Sequence, residues 1–179
     1  MLYEGIIFFS IFFSAILQLA VFPNVFFWNL GPNIMLLLVI FWTTQIGFER
    51  AFIRNILAGF ILDLATFSII GMNVASFILL TFFISFISKR FLVAERNWRV
   101  FIFFITLIFA TLINNFFLNG ILALIAYFDR TTSSNELFSL FNFISLKAII
   151  LNILFFPLIY FIMKKIEKLN LSQGNRKIF

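Results

Sequence analysis

Cysteine and histidine are both absent from the 179 residues. Without them there are no disulfides, no thiolate metal sites, no imidazole general base and no histidine metal ligands. Charge is scarce as well. Asp, Glu, Lys and Arg make up 11% of the chain, where a soluble domain carries about 25%. A water-facing surface cannot be built from so few charges when 63% of the residues are hydrophobic. Three prolines leave few fixed breaks in the backbone. The motifs H-E-x-x-H, G-x-S-x-G with a histidine, and G-x-x-x-x-G-K do not occur. An intramembrane aspartyl dyad needs two embedded aspartates, and the predicted spans supply only Asp63. The chain therefore reads as a non-enzyme, and no cofactor or metal is expected.

What is present is greasy and periodic. Apolar runs recur at the length that crosses a hydrocarbon layer of about 30 Å. They predict six helices, at residues 5–22, 32–46, 56–70, 74–88, 100–128 and 141–163. The expected fold class is all-α, a polytopic six-helix transmembrane bundle (residues 1–163), followed by a basic cytoplasmic tail at 164–179. Pro23-Asn24 is expected to end the first helix. Pro32 should open the second in a first-turn position. Residues 47–55 read as a short charged connection, Gly71-Met72-Asn73 as a tight turn, and 89–99 and 129–136 as polar connections. Trp28 fits an interfacial anchor. The first run has Glu4 and no Lys or Arg before it, so it is expected to be retained rather than cleaved. The 31 phenylalanines suit a lipid-facing surface.

The formal charge of +6 could suggest nucleic acid, but its distribution argues otherwise. With six spans, Arg50, Arg54, Lys89, Arg90, Arg96, Arg99, Lys164, Lys165, Lys168, Arg176 and Lys177 fall on one side, and Arg130 and Lys147 on the other. Basic residues favour the cytoplasmic side, so both termini are expected inside and no nucleic-acid partner is expected. The same cations are placed to meet membrane lipid.

Polar residues inside the apolar runs fall into helical stripes. Asn55, Gly59, Asp63 and Thr66 are spaced by four, four and three. Asp63 stands near the middle of the predicted third helix. A central Asp costs roughly 2.5 to 3.5 kcal/mol on insertion scales, about what the apolar residues of that span return. The helix should therefore depend on its neighbours. Gly59 permits close helix approach, and Asp63 and Thr66 can bond across the contact. Ser10, Ser14 and Gln18 form a second stripe; Thr81, Ser85 and Ser88 a third; and Thr111, Asn115 and Asn119, with Asn114 beside them, a fourth. The Asp63 stripe is either a binding or relay site or structural glue between helices, and the other stripes are either bundle packing or part of a polar cluster shared with Asp63 that faces inward or toward a partner.

The run Gly59-Phe60-Ile61-Leu62-Asp63-Leu64, followed by Gly71-Met72-Asn73-Val74-Ala75, resembles the central signature of the MreD family of rod shape-determining membrane proteins. Gln18 late in the first helix and Pro32-Asn33 at the opening of the second are similar to the family too, as are length, span count and basic tail. The chain departs from the pattern at Ile61 and Leu62, where a second small residue often precedes the Asp. The resemblance implies a fold similar to the S components of energy-coupling-factor transporters. It also implies a non-enzymatic scaffold in the bacterial inner membrane, organising lateral peptidoglycan synthesis and cell shape. The implied partners are an MreC-like protein and, through it, actin-like MreB, RodA and a penicillin-binding transpeptidase; a second copy of the chain is a further candidate. The alternative is a vitamin-binding S component itself, for which Trp28 and the polar loop 129–136 are the cues.

Overall fold

A computed structural model describes residues 2–25, 31–67, 69–91, 99–129 and 134–174, with side chains described for 4–25, 31–67, 69–89, 103–125 and 147–168. Trp28, most of the 89–99 connection, residues 130–133 of the polar loop, and Arg176 and Lys177 lie outside the described residues. The elements are α1 (Leu2–Ile16), a π-helical turn (Leu17–Val21), α2 (Phe22–Val25), α3 (Ile34–Gln45), α4 (Phe48–Thr66), α5 (Met72–Phe91), α6 (Arg99–Asp129) and α7 (Ser134–Gly174). The first three run on without a break, so the described residues form six helical rods and no strand. Four stretches are long and apolar enough to cross a membrane: Glu4–Val25, Met72–Lys89, Phe103–Ile125 and Lys147–Lys168.

At the centre lies α3. Every residue from Ile34 to Thr43 is buried, and α3 touches α1, α4, α5, α6 and α7. Its 12 residues rise only about 18 Å, well short of a bilayer core. A helix apolar on all sides must be covered on all sides, and the surrounding helices do this. Among described phenylalanines, Phe41, Phe77 and Phe156 are buried, while twelve others, including Phe8, Phe12, Phe60, Phe86, Phe116 and Phe161, are exposed. Most of the described phenylalanine surface thus faces outward from the bundle.

The largest departures from the expected helix bounds fall in four elements. First, α4 begins at Phe48, so most of the charged segment 47–55 is helix rather than connection. Arg54 and Asn55 are buried in it and find partners on distant elements. Asp63 consequently sits in the last turn of α4 and not near its middle. Second, Pro23 does not end the first rod. The π-helical turn precedes it, and the Phe22 N–H reaches back five residues to the Leu17 carbonyl. A widened turn there takes up the clash a proline ring makes with the carbonyl four residues back. Third, α3 starts at Ile34, with Asn33 as its N-cap and Pro32 just outside. Fourth, α7 runs from Ser134 to Gly174, so it begins inside the expected 129–136 connection rather than at 141, and much of the expected tail is a continuation of the last helix.

Candidate functional site

Among the described residues, polar groups gather at five places where backbone or side-chain groups would otherwise be stranded in an apolar surround. Such groups must be satisfied within the protein, because hydrocarbon offers them nothing.

One place is the turn between α4 and α5. The Asp63 side chain is fully buried. Its Oδ2 accepts from the Gly71 N–H at 2.8 Å and the Val74 N–H at 3.4 Å. Its Oδ1 accepts from the Asn73 N–H at 2.9 Å and the Asn73 amide Nδ2 at 2.8 Å. Helix N-termini leave their first N–H groups unpaired and attract acceptors. Asp63 is thus a capping group for α5 delivered from the end of α4. The turn can fold back this tightly because Gly71 holds φ +99°. Gly59, one turn before Asp63, brings the helices together: a Cβ there would stand 2.7 Å from the Val74 Cα and 2.8 Å from its N. Phe67 closes α4 in a left-handed conformation at φ 49° and is 97% exposed. Thr66 is exposed at the edge of this turn, and its hydroxyl donates to the Leu62 carbonyl of its own helix at 2.8 Å.

A second place is the buried start of α3. Asn33 Oδ1 accepts from the Leu36 N–H at 3.0 Å, and Gln18 Oε1 accepts from the Met35 N–H at 3.0 Å. The Asn33 N–H donates to Asn152 Oδ1 at 2.8 Å, and Asn152 Nδ2 donates to Thr111 Oγ1 at 3.2 Å. Three amide side chains, from the first rod, the cap and α7, close this helix end. The π-helical turn contains Gln18 and sets the height at which its amide meets Met35.

The third is the bundle interior. Asn55 Nδ2 donates to Thr43 Oγ1 at 3.1 Å and Thr81 Oγ1 at 2.7 Å, tying α4 to α3 and α5. Fourth, Ser76 Oγ donates to Asn114 Oδ1 at 2.8 Å, tying α5 to α6. The fifth lies at the start of α4, where Arg54 pairs with Glu167 of α7 at 3.0 Å. Its guanidinium lies 6.0 Å from the Trp42 ring centroid. Trp42 Nε1, Asn55 Oδ1 and Asn115 Nδ2 are buried with no hydrogen-bond partner among the described residues.

Of the residues singled out from the sequence, Gly59, Asp63 and Gly71 meet at the α4–α5 turn, and Gln18, Pro32 and Asn33 meet at the start of α3. Asn114 lies apart from both, against Ser76. Asn115 is half-buried and Asn119 exposed, and they join neither cluster, while Thr66 is exposed at the edge of the first, its hydroxyl 3.4 Å from the Asp63 carbonyl oxygen. Sequence reading missed Asn152, Asn73, Ser76 and Glu167 as members. Asn152 carries a usable signal, as a single amide deep in an apolar run. Glu167 carries another, as the one acid in a basic segment.

Chemically these clusters hold helices in register. Among the described residues, no three carboxylates converge to hold a metal ion. An apolar groove of about 470 Å³ opens between α1 and α4, lined by Phe8, Phe12, Ala15, Ile61 and Leu64 among others. It offers van der Waals contact and no group that would orient a polar solute.

The family model of rod shape-determining protein MreD matches residues 1–166. The chain belongs to the MreD family. It is therefore a membrane protein with a role in determining rod shape. No curated relative and no solved structure matches it. The MreD match spans every cluster described above except the Arg54–Glu167 pair, whose Glu167 is the next residue past its end.

Proposed function

We propose that the chain is a non-enzymatic scaffold of the cell-elongation machinery in the bacterial inner membrane, with both termini cytoplasmic. It binds an MreC-like partner, and through it actin-like MreB, RodA and a penicillin-binding transpeptidase, to organise lateral peptidoglycan synthesis. The observation that carries the reading is the family match over residues 1–166. The internal use of the polar side chains supports it: capping of α3 and α5 by Gln18, Asn33, Asn152 and Asp63 makes a rigid platform. In this reading Gly59 and Asp63 shape the bundle the partner recognises, and Thr66 lies at the exposed edge of that region. An arrangement similar to the transporter S components is part of the same proposal, supported by the six helical rods in a chain of this length.

The test is depletion and rescue in a rod-shaped host, paired with copurification of the MreC-like neighbour. Rods restored by the chain, with the neighbour retained on it in mild detergent, are the expected outcome. Cells that stay round while the chain is present in the membrane would refute the scaffold reading. A saturable vitamin isotherm on the purified chain would move it to the transporter alternative.

A further inference from the structure

The last helix does not stop where its apolar surface stops. Leu154, Leu158, Phe161 and Ile162 are exposed on α7, and they recur at spacings of three and four along one face. Continuing that face by three and four residues reaches Lys164, Lys165 and Lys168, which are also exposed. The opposite face stays docked. Met163 is buried, Ile166 packs against the core, and Glu167 bonds Arg54 at 3.0 Å. The same ion pair removes the one acidic side chain of this stretch from the outward face. Three ammonium groups therefore stand on a helix fixed to the bundle, directly beyond an apolar strip. Lys164 Nζ, 5.6 Å from the Tyr160 ring centroid, leans back toward the apolar part.

We propose that this face of α7 binds an anionic phospholipid of the adjoining leaflet. The acyl chains lie along Leu154, Leu158 and Phe161, and the headgroup phosphate lies among Lys164, Lys165 and Lys168. The occupant follows from charge and shape together. A soluble anion has no use for the apolar strip, and a zwitterionic lipid gains little from three cations. A topogenic signal alone requires neither a rigid carrier nor the sequestering of Glu167. The proposal is independent of which proteins the scaffold binds.

The experiment uses the full chain in nanodiscs of mixed phosphatidylcholine and phosphatidylglycerol, with spin-labelled versions of each lipid as probes. The wild type should hold phosphatidylglycerol preferentially at low salt. The variant Lys164→Gln/Lys165→Gln/Lys168→Gln should lower that preference by about fivefold per lysine. A triple Lys→Arg variant should keep it, which separates loss of charge from loss of fold. Raising salt to about 1 M should erase it, because screening then acts within about 3 Å. Equal association of the two lipids with the wild type would overturn the proposal, as would a preference unchanged in the glutamine variant. Displacement of the labelled lipid by soluble glycerol phosphate would reduce the site to a phosphate site and overturn it too. Loss of a copurifying protein in the glutamine variant, with no lipid preference in the wild type, would assign the strip to a protein partner instead.

Discussion

Replacing Asp63 with alanine should loosen the α4–α5 turn more than any other single polar truncation in the bundle. Four of the hydrogen bonds among the described residues end on this side chain, three of them from the backbone N–H groups of Gly71, Asn73 and Val74. Alanine leaves those donors in a buried setting with no acceptor. An orphaned buried donor costs about 1 to 3 kcal/mol. The Val74 bond is long at 3.4 Å and the Gly71 site is half-buried, so both count toward the low end. A loss of about 3 to 5 kcal/mol is expected on these terms. Asparagine keeps one oxygen but turns an NH2 toward other donors, so it should fall between wild type and alanine. Deleting a carboxyl group makes α4 by itself easier to insert, which gives the two assays opposite signs. Insertion of isolated α4 should improve, while unfolding of the whole bundle in mixed micelles should become easier. Hydrogen exchange localises the effect: Asn73 and Val74 amides should exchange about 100-fold faster for about 3 kcal/mol of lost local stability. Unchanged exchange at those two amides in Asp63→Ala would refute the capping role.

Gly59→Ala should cost about 1 to 3 kcal/mol, because the atoms a new Cβ meets are Val74 backbone and cannot swing aside; a lowered thermal midpoint in detergent checks this. Phe67→Gly should raise the same midpoint by an amount equivalent to at most about 1 kcal/mol, since a left-handed helix end suits glycine and Phe67 gives up almost no packing. Arg54→Met and Glu167→Gln should each cost about 2 to 3 kcal/mol, and the double variant less than their sum. Additive losses in that double-mutant cycle would show that the pair is not coupled.

Which parts of this architecture were readable from residue order follows from the range of the interactions that decide them. The stripe Asn55, Gly59, Asp63 shows at helical spacing because it lies on one helix, and the structure points all three at neighbouring elements. Thr66 shares the spacing but falls where the turn begins, so it is exposed. Asn119 similarly continues the Asn115 stripe past the point where α6 is covered. The start of α4 was not readable, because Arg54 looks like a loop residue until Glu167, 113 positions away, is brought beside it. The extension of α7 was hidden for the same reason. A basic, polar stretch reads as a solvated tail unless Ile166 and Glu167 are known to have something to dock on. Pro23 looked like a stop, and only a π-helical turn ahead of it lets the rod continue.

The closing of α3 by Asn152 has a consequence for biogenesis. The Asn33 N–H waits for an acceptor 119 residues downstream, on the last of the described helices. Until α7 arrives, the short central helix has one end incompletely sealed. Sealing of the buried central helix is thereby tied to the arrival of α7.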